Sequence, residues 1–277
     1  MLTLNEMKEC LRTLDIEPNS ILLVHSSLKA LGQIEGGAEA VIEALESVVP
    51  EGTLVMPTFS QKNWDTVFED WHMDRPSDTG LITETFRRQE GSLRSDNPTH
   101  SVAARGVHAK DLVSGDPQGG ARYGLFGEYC FSYESPWQRM YDSRTRYGVK
   151  AYVLFWGVPM KYHTYKHFSE YRLVEDALAA ISDEAKREEI KAELAHYPYK
   201  GGPDMIWPFY DSNRFCTELE KMGIAKRRTL GQGDIICVDT FDCVNATDEA
   251  IRSDPEAWML PPGWKWYRKA QAAAAEK

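Results

Sequence analysis

The feature that most constrains the fold is a strand, a glycine-containing loop, a helix and a second strand in close succession. Residues 21–25 (ILLVH) form a short apolar run, which is typical of a strand buried on both faces. Apolar residues then recur at helical spacing from Ala38 to Val49, and residues 53–59 (TLVMPTF) give the second strand. Such a β-α-β unit predicts two parallel strands with ligand chemistry at their carboxyl ends.

The remaining sequence predicts further helices and strands in alternation, without an internal repeat. The predicted helices cover residues 4–14, 81–91, a segment starting at Ser135-Pro136, 164–180, 182–196 (charged nearly all round, hence exposed) and 216–222. The predicted strands cover residues 101–105, 151–158 and 234–240, the last being the final strand. We expect loops at 114–135 and 197–209, a low-complexity tail at AQAAAAEK, and one α/β domain over residues 1–277.

The charge balance limits the class of partner. The chain has 32 lysines and arginines against 42 aspartates and glutamates, a net charge of −10. Such a surface repels phosphate backbones, so we expect no nucleic-acid partner, whereas a cationic small molecule is a better electrostatic match. An acidic surface of this kind also serves solubility alone.

Cysteine usage and hydropathy indicate the compartment. The 5 cysteines have no C-x-x-C spacing, so neither a disulfide framework nor a structural zinc site is expected. The longest apolar stretch, residues 151–160, is about half of the ~20 residues that cross a bilayer. The first ten residues contain Glu6 and Glu9 and lack the apolar core of a signal peptide. We therefore expect a cytoplasmic protein without a membrane partner.

Two constellations offer binding chemistry and also have plain structural explanations. Residues 25–28 (HSSL), with Gly36-Gly37 opening a helix, would direct backbone N–H groups at a phosphate; alternatively, the glycines only form a tight turn. In residues 97–101 (NPTHS), the hydroxyls of Thr99 and Ser101 could hold a carbonyl or thioester oxygen; alternatively, this segment is an Asx-Pro turn.

His163, His167 and Glu170 stand at positions i, i+4 and i+7, which would place them on one helical face. Histidines at i and i+4 could share a zinc ion, although the H-E-x-x-H glutamate and a third ligand are missing. A histidine near its ordinary pKa could instead act as a general base, or both histidines could be structural. Aromatic loops with Glu128, Glu134, Asp204 and Asp211 could wall a negatively charged pocket for a sugar.

The segments taken together resemble the aminoglycoside 3-N-acetyltransferases, a family of acetyl-CoA-dependent antibiotic acetyltransferases. The matching segments are VHSSLKALGQIEGGAEAVIEAL (24–45), GTLVMPTFS (52–60), LRSDNPTHSVAARG (93–106), Ser135-Pro136, VKAYVLFWGV (149–158), TYKHFSEYR (164–172), YDSNRF (210–215) and GQGDIICVDT (231–240). The resemblance implies an α/β sandwich around a mixed central sheet, with loop and helix insertions forming the acceptor site.

The resemblance also implies roles for individual residues. His167 would be the catalytic base and Glu170 its acidic neighbour, with His100 and Thr99 as further catalytic candidates. The acetyl-CoA contacts would come from Ser26, Ser27, Leu28, Gly36, Gly37, Thr58, Phe59, Ser101 and Val102. The acceptor contacts would come from Glu170, His163, Asp204 and Asp211. The family usually has His-Pro where this chain has Asn97-Pro98, and residues 182–210 are longer and more charged, which indicates an acceptor-side insertion.

The expected function is therefore transfer of an acetyl group from acetyl-CoA to an amine of a polycationic, aminoglycoside-like acceptor, without a metal and in a ternary complex. The same chemistry on an amino sugar or aminophosphonate is the first alternative. A metal-dependent hydrolase using His163 and His167 and a non-catalytic binding protein are alternatives of other classes. A homodimer is a further expectation.

Overall fold

The computed structural model describes residues 1–60, 66–115, 118–120, 122, 129–194 and 210–276. The chain divides into two compact units. The first comprises Met1–Tyr162 and Leu219–Cys243, and the second comprises His163–Glu218 and Val244–Lys277. No helix within the described ranges is long and apolar enough to cross a bilayer.

The described part of the first unit contains a sheet of seven strands. Their bounds are β1, Ile21–Ser26; β2, Thr53–Pro57; β3, Leu93–Arg94; β4, Val102–Gly106; β5, Ala151–Trp156; β6, Ala225–Leu230; β7, Gly233–Asp239. The spatial order is β3-β4-β2-β1-β5-β7-β6. β1 pairs in parallel with β2 and with β5, and the other neighbours pair antiparallel, so the sheet is mixed as expected.

The described helices follow the predicted pattern in most places. Their bounds are α1, Leu4–Arg12; α2, Gly37–Glu46; α3, Leu81–Arg88; α4, Ala109–Val113; α5, Pro136–Tyr141; α6, Ser143–Arg146; α7, Tyr165–Ala179; α8, Glu184–Leu194; α9, Ser212–Lys221; α10, Thr240–Ser253; α11, Pro255–Trp258; α12, Pro261–Ala275. The predicted start of α5 is confirmed, because the Ser135 side chain accepts a hydrogen bond from the Gln138 N–H and Pro136 occupies the first helical position.

The β-α-β unit is confirmed, with β1 and β2 in parallel around α2. Both faces of the sheet are buried. Leu22 and Val24 of β1 join a core cluster with Met7 of α1 and Val41 of α2, whereas Leu23 lies on the opposite face and is also buried. Because both faces are covered, the central strands consist of continuous apolar runs, and the α/β sandwich is confirmed.

The second unit is held by helix packing and buried polar contacts. The indole N–H of Trp266 on α12 donates to the carbonyl oxygen of Ile190 on α8 at 3.0 Å. Arg172 on α7 forms an ion pair with the fully buried Asp248 on α10 at 2.9 Å. Ile190 is buried although the sequence of α8 is charged, so this helix is not exposed on every side as expected.

Several elements differ from the prediction. The charged segment Ala225–Leu230 is a strand, β6, and α10 follows the predicted last strand. The AQAAAAEK segment is not a tail, because α12 continues through it to Ala275. The predicted loop at 197–209 and most of the one at 114–135 lie outside the described residues, as does the 195–209 part of the predicted insertion.

One glycine is required where β2 meets β4. Gly106 pairs with Thr53 and has φ +126, and a Cβ atom there would lie 2.2 Å from the carbonyl oxygen of Gly52. Gly148 also has a positive φ of +70, but a Cβ atom at that position would have nothing within 4 Å. The two positions thus share a positive φ and differ in available space.

We expect Gly106→Ala to lower the free energy of unfolding by about 3 kcal/mol or more, because backbone strain and steric overlap add. Gly148→Ala should cost only about 1–2 kcal/mol, for the left-handed conformation alone. Urea denaturation of both variants measures the difference. Equal losses would show that the close approach at Gly106 does not constrain the sheet.

Candidate functional site

A cleft of about 450 Å³ opens at the carboxyl ends of β1, β2 and β5, where the β-α-β unit predicts ligand chemistry. We call it the β1–β2 cleft. It is lined by His25, Ser26, Ser27, Pro57, Phe59, Asp78, Thr79, Thr83, Val158 and Tyr162. Three predicted donor-site residues are among them: Ser26, Ser27 and Phe59.

The other predicted donor-site residues lie elsewhere. The side chains of Thr58, Ser101 and Val102 are fully buried and do not line the cleft. Leu28 packs partly buried against the core cluster. Gly36 and Gly37 stand at the N-terminus of α2, Gly36 with φ +75, and neither lines the cleft.

Residues 97–101 form an Asx turn. The Asn97 side-chain oxygen accepts hydrogen bonds from the backbone N–H of Thr99 at 3.1 Å and from that of His100 at 2.8 Å. The His100 ring bonds to the Thr99 hydroxyl at 2.9 Å, and the Thr99 side chain is fully buried. The His100 ring also packs 4.9 Å from the Phe59 ring of the cleft wall, measured between centroids. The geometry therefore agrees with the Asx-Pro turn considered in the sequence.

Asp78, Thr79 and Thr83 of the cleft were not predicted as site residues. They reach the cleft from a segment that no sequence motif marks, through backbone contacts. The Asp78 N–H donates to the Phe59 carbonyl at 2.7 Å, and the Thr79 hydroxyl donates to the Pro57 carbonyl at 2.7 Å. Pairings of this kind between distant segments leave no periodic signal in a sequence.

The second unit contains the predicted histidine–carboxylate pair. His167 and Glu170 lie one turn apart on α7, with His167 Nδ1 2.7 Å from Glu170 Oε2. The Glu170 side chain is 0% exposed, whereas that of His167 is 19% exposed. A carboxylate at Nδ1 holds the proton there, which leaves Nε2 as the proton-accepting nitrogen.

The surroundings of His167 keep the imidazole neutral. Burial, followed by the positive charge of Lys166, lowers the pKa of His167 well below its usual value. A neutral imidazole with one nitrogen fixed by a carboxylate is the arrangement that a general base requires at neutral pH.

His163 does not share the helical face of His167. Helix α7 begins at Tyr165, and His163 precedes it, so the expected i, i+4, i+7 face is wrong for this residue. Its buried ring packs against that of Tyr165, with 5.7 Å between centroids. Among the described residues, no group of three or more His, Cys, Asp or Glu side chains could hold a metal ion. The hydrolase alternative therefore gains no support from this part of the chain.

The two predicted acceptor-site aspartates are not equally visible. Asp204 lies outside the described residues. Asp211 is exposed, and its carboxylate accepts a hydrogen bond from the Asn213 N–H at 2.9 Å at the start of α9.

The environment of His167 leads to a prediction that needs no activity assay. Lys166→Gln removes the neighbouring positive charge and should raise the pKa of His167, because protonation then meets less repulsion. Lys191→Gln on the exposed side of α8 should leave it unchanged. NMR titration of the imidazole protons, assigned with a His167→Gln spectrum among the 7 histidines, measures both. An unchanged midpoint in Lys166→Gln would contradict the assigned electrostatics.

Comparison with known sequences matches residues 23–252 to the family model of aminoglycoside 3-N-acetyltransferase. The SPbeta prophage-derived aminoglycoside N(3')-acetyltransferase-like protein YokD of Bacillus subtilis is 32% identical, over 62% of this chain and 65% of its own length. Aminoglycoside N(3)-acetyltransferase III of Salmonella sp. is 31% identical, over 61% of this chain and 60% of its own. The chain thus matches less than two thirds of the length of these relatives.

Comparison with solved structures gives the same fold. Aminoglycoside acetyltransferase AAC(3)-IVa in complex with a gentamicin has a TM-score of 0.67 at 21% identity, covering 98% of this chain and 97% of that one. AAC-IIIb in a binary complex with CoASH has a TM-score of 0.64 at 17% identity, covering 91% and 96%. Since the family match spans most of the sequence, this chain belongs to the aminoglycoside 3-N-acetyltransferase family.

Proposed function

We propose that this protein transfers the acetyl group of acetyl-CoA to an amine of an aminoglycoside. The observation that carries the proposal is the buried Glu170 carboxylate 2.7 Å from the accessible, neutral imidazole of His167. Family membership supports it, as do the relatives with CoASH and with a gentamicin bound. Transfer of this kind would make the protein an antibiotic-resistance enzyme.

The chemistry requires a base. An amine acceptor is mostly protonated at pH 7 and attacks a thioester only after losing a proton. In the proposed mechanism, Nε2 of His167 takes a proton from the amine, directly or through one water. The amine nitrogen bonds to the thioester carbon, the carbon–sulfur bond breaks, and the CoA thiolate leaves and takes up a proton. Glu170 orients the imidazole and stabilises its positive charge, a role that suits its full burial better than direct contact with the acceptor.

The donor contacts are proposed for the β1–β2 cleft. The pantetheine arm of acetyl-CoA is largely apolar with two amides, and the cleft offers apolar Phe59 and Val158 beside the hydroxyls of Ser26 and Ser27. The remaining predicted donor residues, which do not line the cleft, stay predictions: Leu28, Gly36, Gly37, Thr58, Ser101 and Val102.

Thr99 and His100 stay proposed catalytic residues for the oxyanion of the thioester adduct. Preorganised donors to such an oxyanion are worth about 2.7–4 kcal/mol each. Because the two side chains bond to each other, a direct contribution requires that this bond opens during the reaction.

The acceptor contacts, the single-domain organisation and the homodimer are also proposals. Glu170, His163, Asp204 and Asp211 remain the candidate acceptor residues, and the net charge of −10 favours a polycationic substrate. Sedimentation analysis tests the homodimer.

The first experiment is thiol release from acetyl-CoA across a panel of aminoglycosides, amino sugars and an aminophosphonate. We expect turnover with aminoglycosides, and a fall of about 10²–10⁴ in kcat for His167→Ala, the usual contribution of a general base. CoA binding should persist in that variant, and His108→Ala serves as the matched control. Glu170→Gln should lower kcat more than it raises the acceptor KM, whereas Glu175→Gln on the same helix should change neither.

Near-normal turnover by His167→Ala would remove the proposed base. A preference for an amino sugar or the aminophosphonate over every aminoglycoside would keep the chemistry and change the substrate. Activity lost on chelation would restore the hydrolase.

The charge of the protein gives a second test. Salt shortens the screening length from ~10 Å at 0.1 M to ~3 Å at 1 M, which weakens attraction between an acidic protein and a polycation. The KM for a multi-amine acceptor should therefore rise with salt more than the KM for acetyl-CoA does. Initial rates at two ionic strengths measure both constants. A salt-insensitive acceptor KM would indicate that charge does not select the substrate.

A further inference from the structure

Arg94, on the short strand β3, is bound by two segments that form walls of the β1–β2 cleft. Its guanidinium donates to backbone carbonyls and to hydroxyls. The acceptors are the carbonyls of Met73 (2.7 Å), Arg75 (2.6 Å) and Thr58 (2.6 Å), and the hydroxyls of Ser60 (3.2 Å), Thr58 (3.2 Å) and Ser101 (3.3 Å). The guanidinium carbon also lies 4.7 Å from the centre of the Trp71 ring.

These acceptors belong to two stretches of chain that are far apart in sequence. We call residues 57–60 the first wall and residues 73–79 the second wall. Phe59 of the first wall and Asp78 of the second line the cleft directly. The walls also bond to each other, since the Ser60 hydroxyl donates to the Pro76 carbonyl at 2.9 Å.

The guanidinium lies between the walls as a bridge. One terminal nitrogen donates to the two carbonyls of the second wall, at Met73 and Arg75. The other donates to the Thr58 carbonyl and the Ser60 hydroxyl of the first wall. Carbonyl oxygens that converge on one cation repel each other when the cation is removed. The spacing of the walls therefore depends on the charge as well as on the shape of this side chain.

We propose that Arg94 is a positioning residue for the acetyl donor: it sets the width of the β1–β2 cleft by fixing the second wall against the first. This inference rests on the proposed function only in naming CoA as the ligand. Thr58 and Ser101, predicted from the resemblance as donor-site residues, then act through Arg94, which explains why both are fully buried behind the cleft.

An arginine suits this position better than a lysine. Its planar group presents five N–H donors in fixed directions, whereas an ammonium presents three around one point. A lysine at this position could not keep both the Met73 and the Thr58 carbonyls in register, although it would keep the charge.

Arg105 on the neighbouring strand β4 provides a matched control. Its guanidinium donates to the Glu46 carboxylate at 2.6 Å and to the Gln89 side chain at 3.0 Å, and lies 4.9 Å from the centre of the Phe86 ring. It therefore resembles Arg94 in bonding and ring contact. None of these partners lines the cleft.

The test compares Arg94→Met, Arg94→Lys and Arg105→Met in the full-length chain. Calorimetric titration with CoA should show Kd raised about tenfold in Arg94→Met, the effect of losing about one charge-assisted hydrogen bond. Arg94→Lys should give a smaller rise, and Arg105→Met a change within about twofold, although both methionine variants lower Tm. The acceptor KM should stay near the wild-type value in all three.

Hydrogen exchange gives a readout that does not depend on CoA. The Asp78 N–H, bonded to the Phe59 carbonyl, should exchange faster in Arg94→Met and Arg94→Lys under native conditions, and at the wild-type rate in Arg105→Met. Faster exchange in these variants, together with a wild-type protein that does not bind CoA, would leave Arg94 as the positioning residue and refute the proposed donor instead.

Two results would overturn the inference. One is equal CoA affinity in Arg94→Met and Arg105→Met with unchanged exchange at Asp78. The other, should Arg94→Met fail to fold, is an Arg94→Lys variant with wild-type affinity and exchange.

Discussion

The structure depends on the central position of β1. It pairs in parallel with β2 on one side and with β5 on the other, and residues 21–25 are buried. A strand with neighbours at both edges and cover on both faces tolerates polar side chains only at its ends. Its sequence accordingly stays apolar until His25 and Ser26, which line the β1–β2 cleft. The cleft lies at this edge because the parallel strands all end there.

The sequence predicts this part of the fold well, since alternating and helical periods record burial directly. It does not predict β6, because the segment AKRRTL has the composition of an exposed loop. In the structure, Lys226 pairs with Asp15 and Arg227 with Glu220, so an edge strand carries charges that a central strand could not. The antiparallel direction of β4 is likewise invisible, because a strand has the same hydrophobic pattern in either direction.

The site divides along the same line. Ser26, Ser27 and His167 could be found because short motifs surround them. Arg94 could not, since most of its partners are backbone carbonyls, which every residue carries. Its environment nevertheless marks it: burial lowers the pKa of Arg94 to about 10, the cost of taking a guanidinium out of water. A buried cation of this kind is retained only where its hydrogen bonds offset that cost.

The His167–Glu170 pair balances two opposed effects. Burial lowers the pKa of His167, which keeps the base unprotonated but also makes it weaker. A buried carboxylate at Nδ1 offsets that weakness at the moment of reaction, because it stabilises the imidazolium as the proton arrives. The carboxylate is already desolvated and already bonded, so little reorganisation accompanies the change of charge. A glutamate in contact with solvent could bind an ammonium of the acceptor, but it would stabilise the imidazolium far less. The full burial of Glu170 therefore favours its role as partner of the base over contact with the substrate.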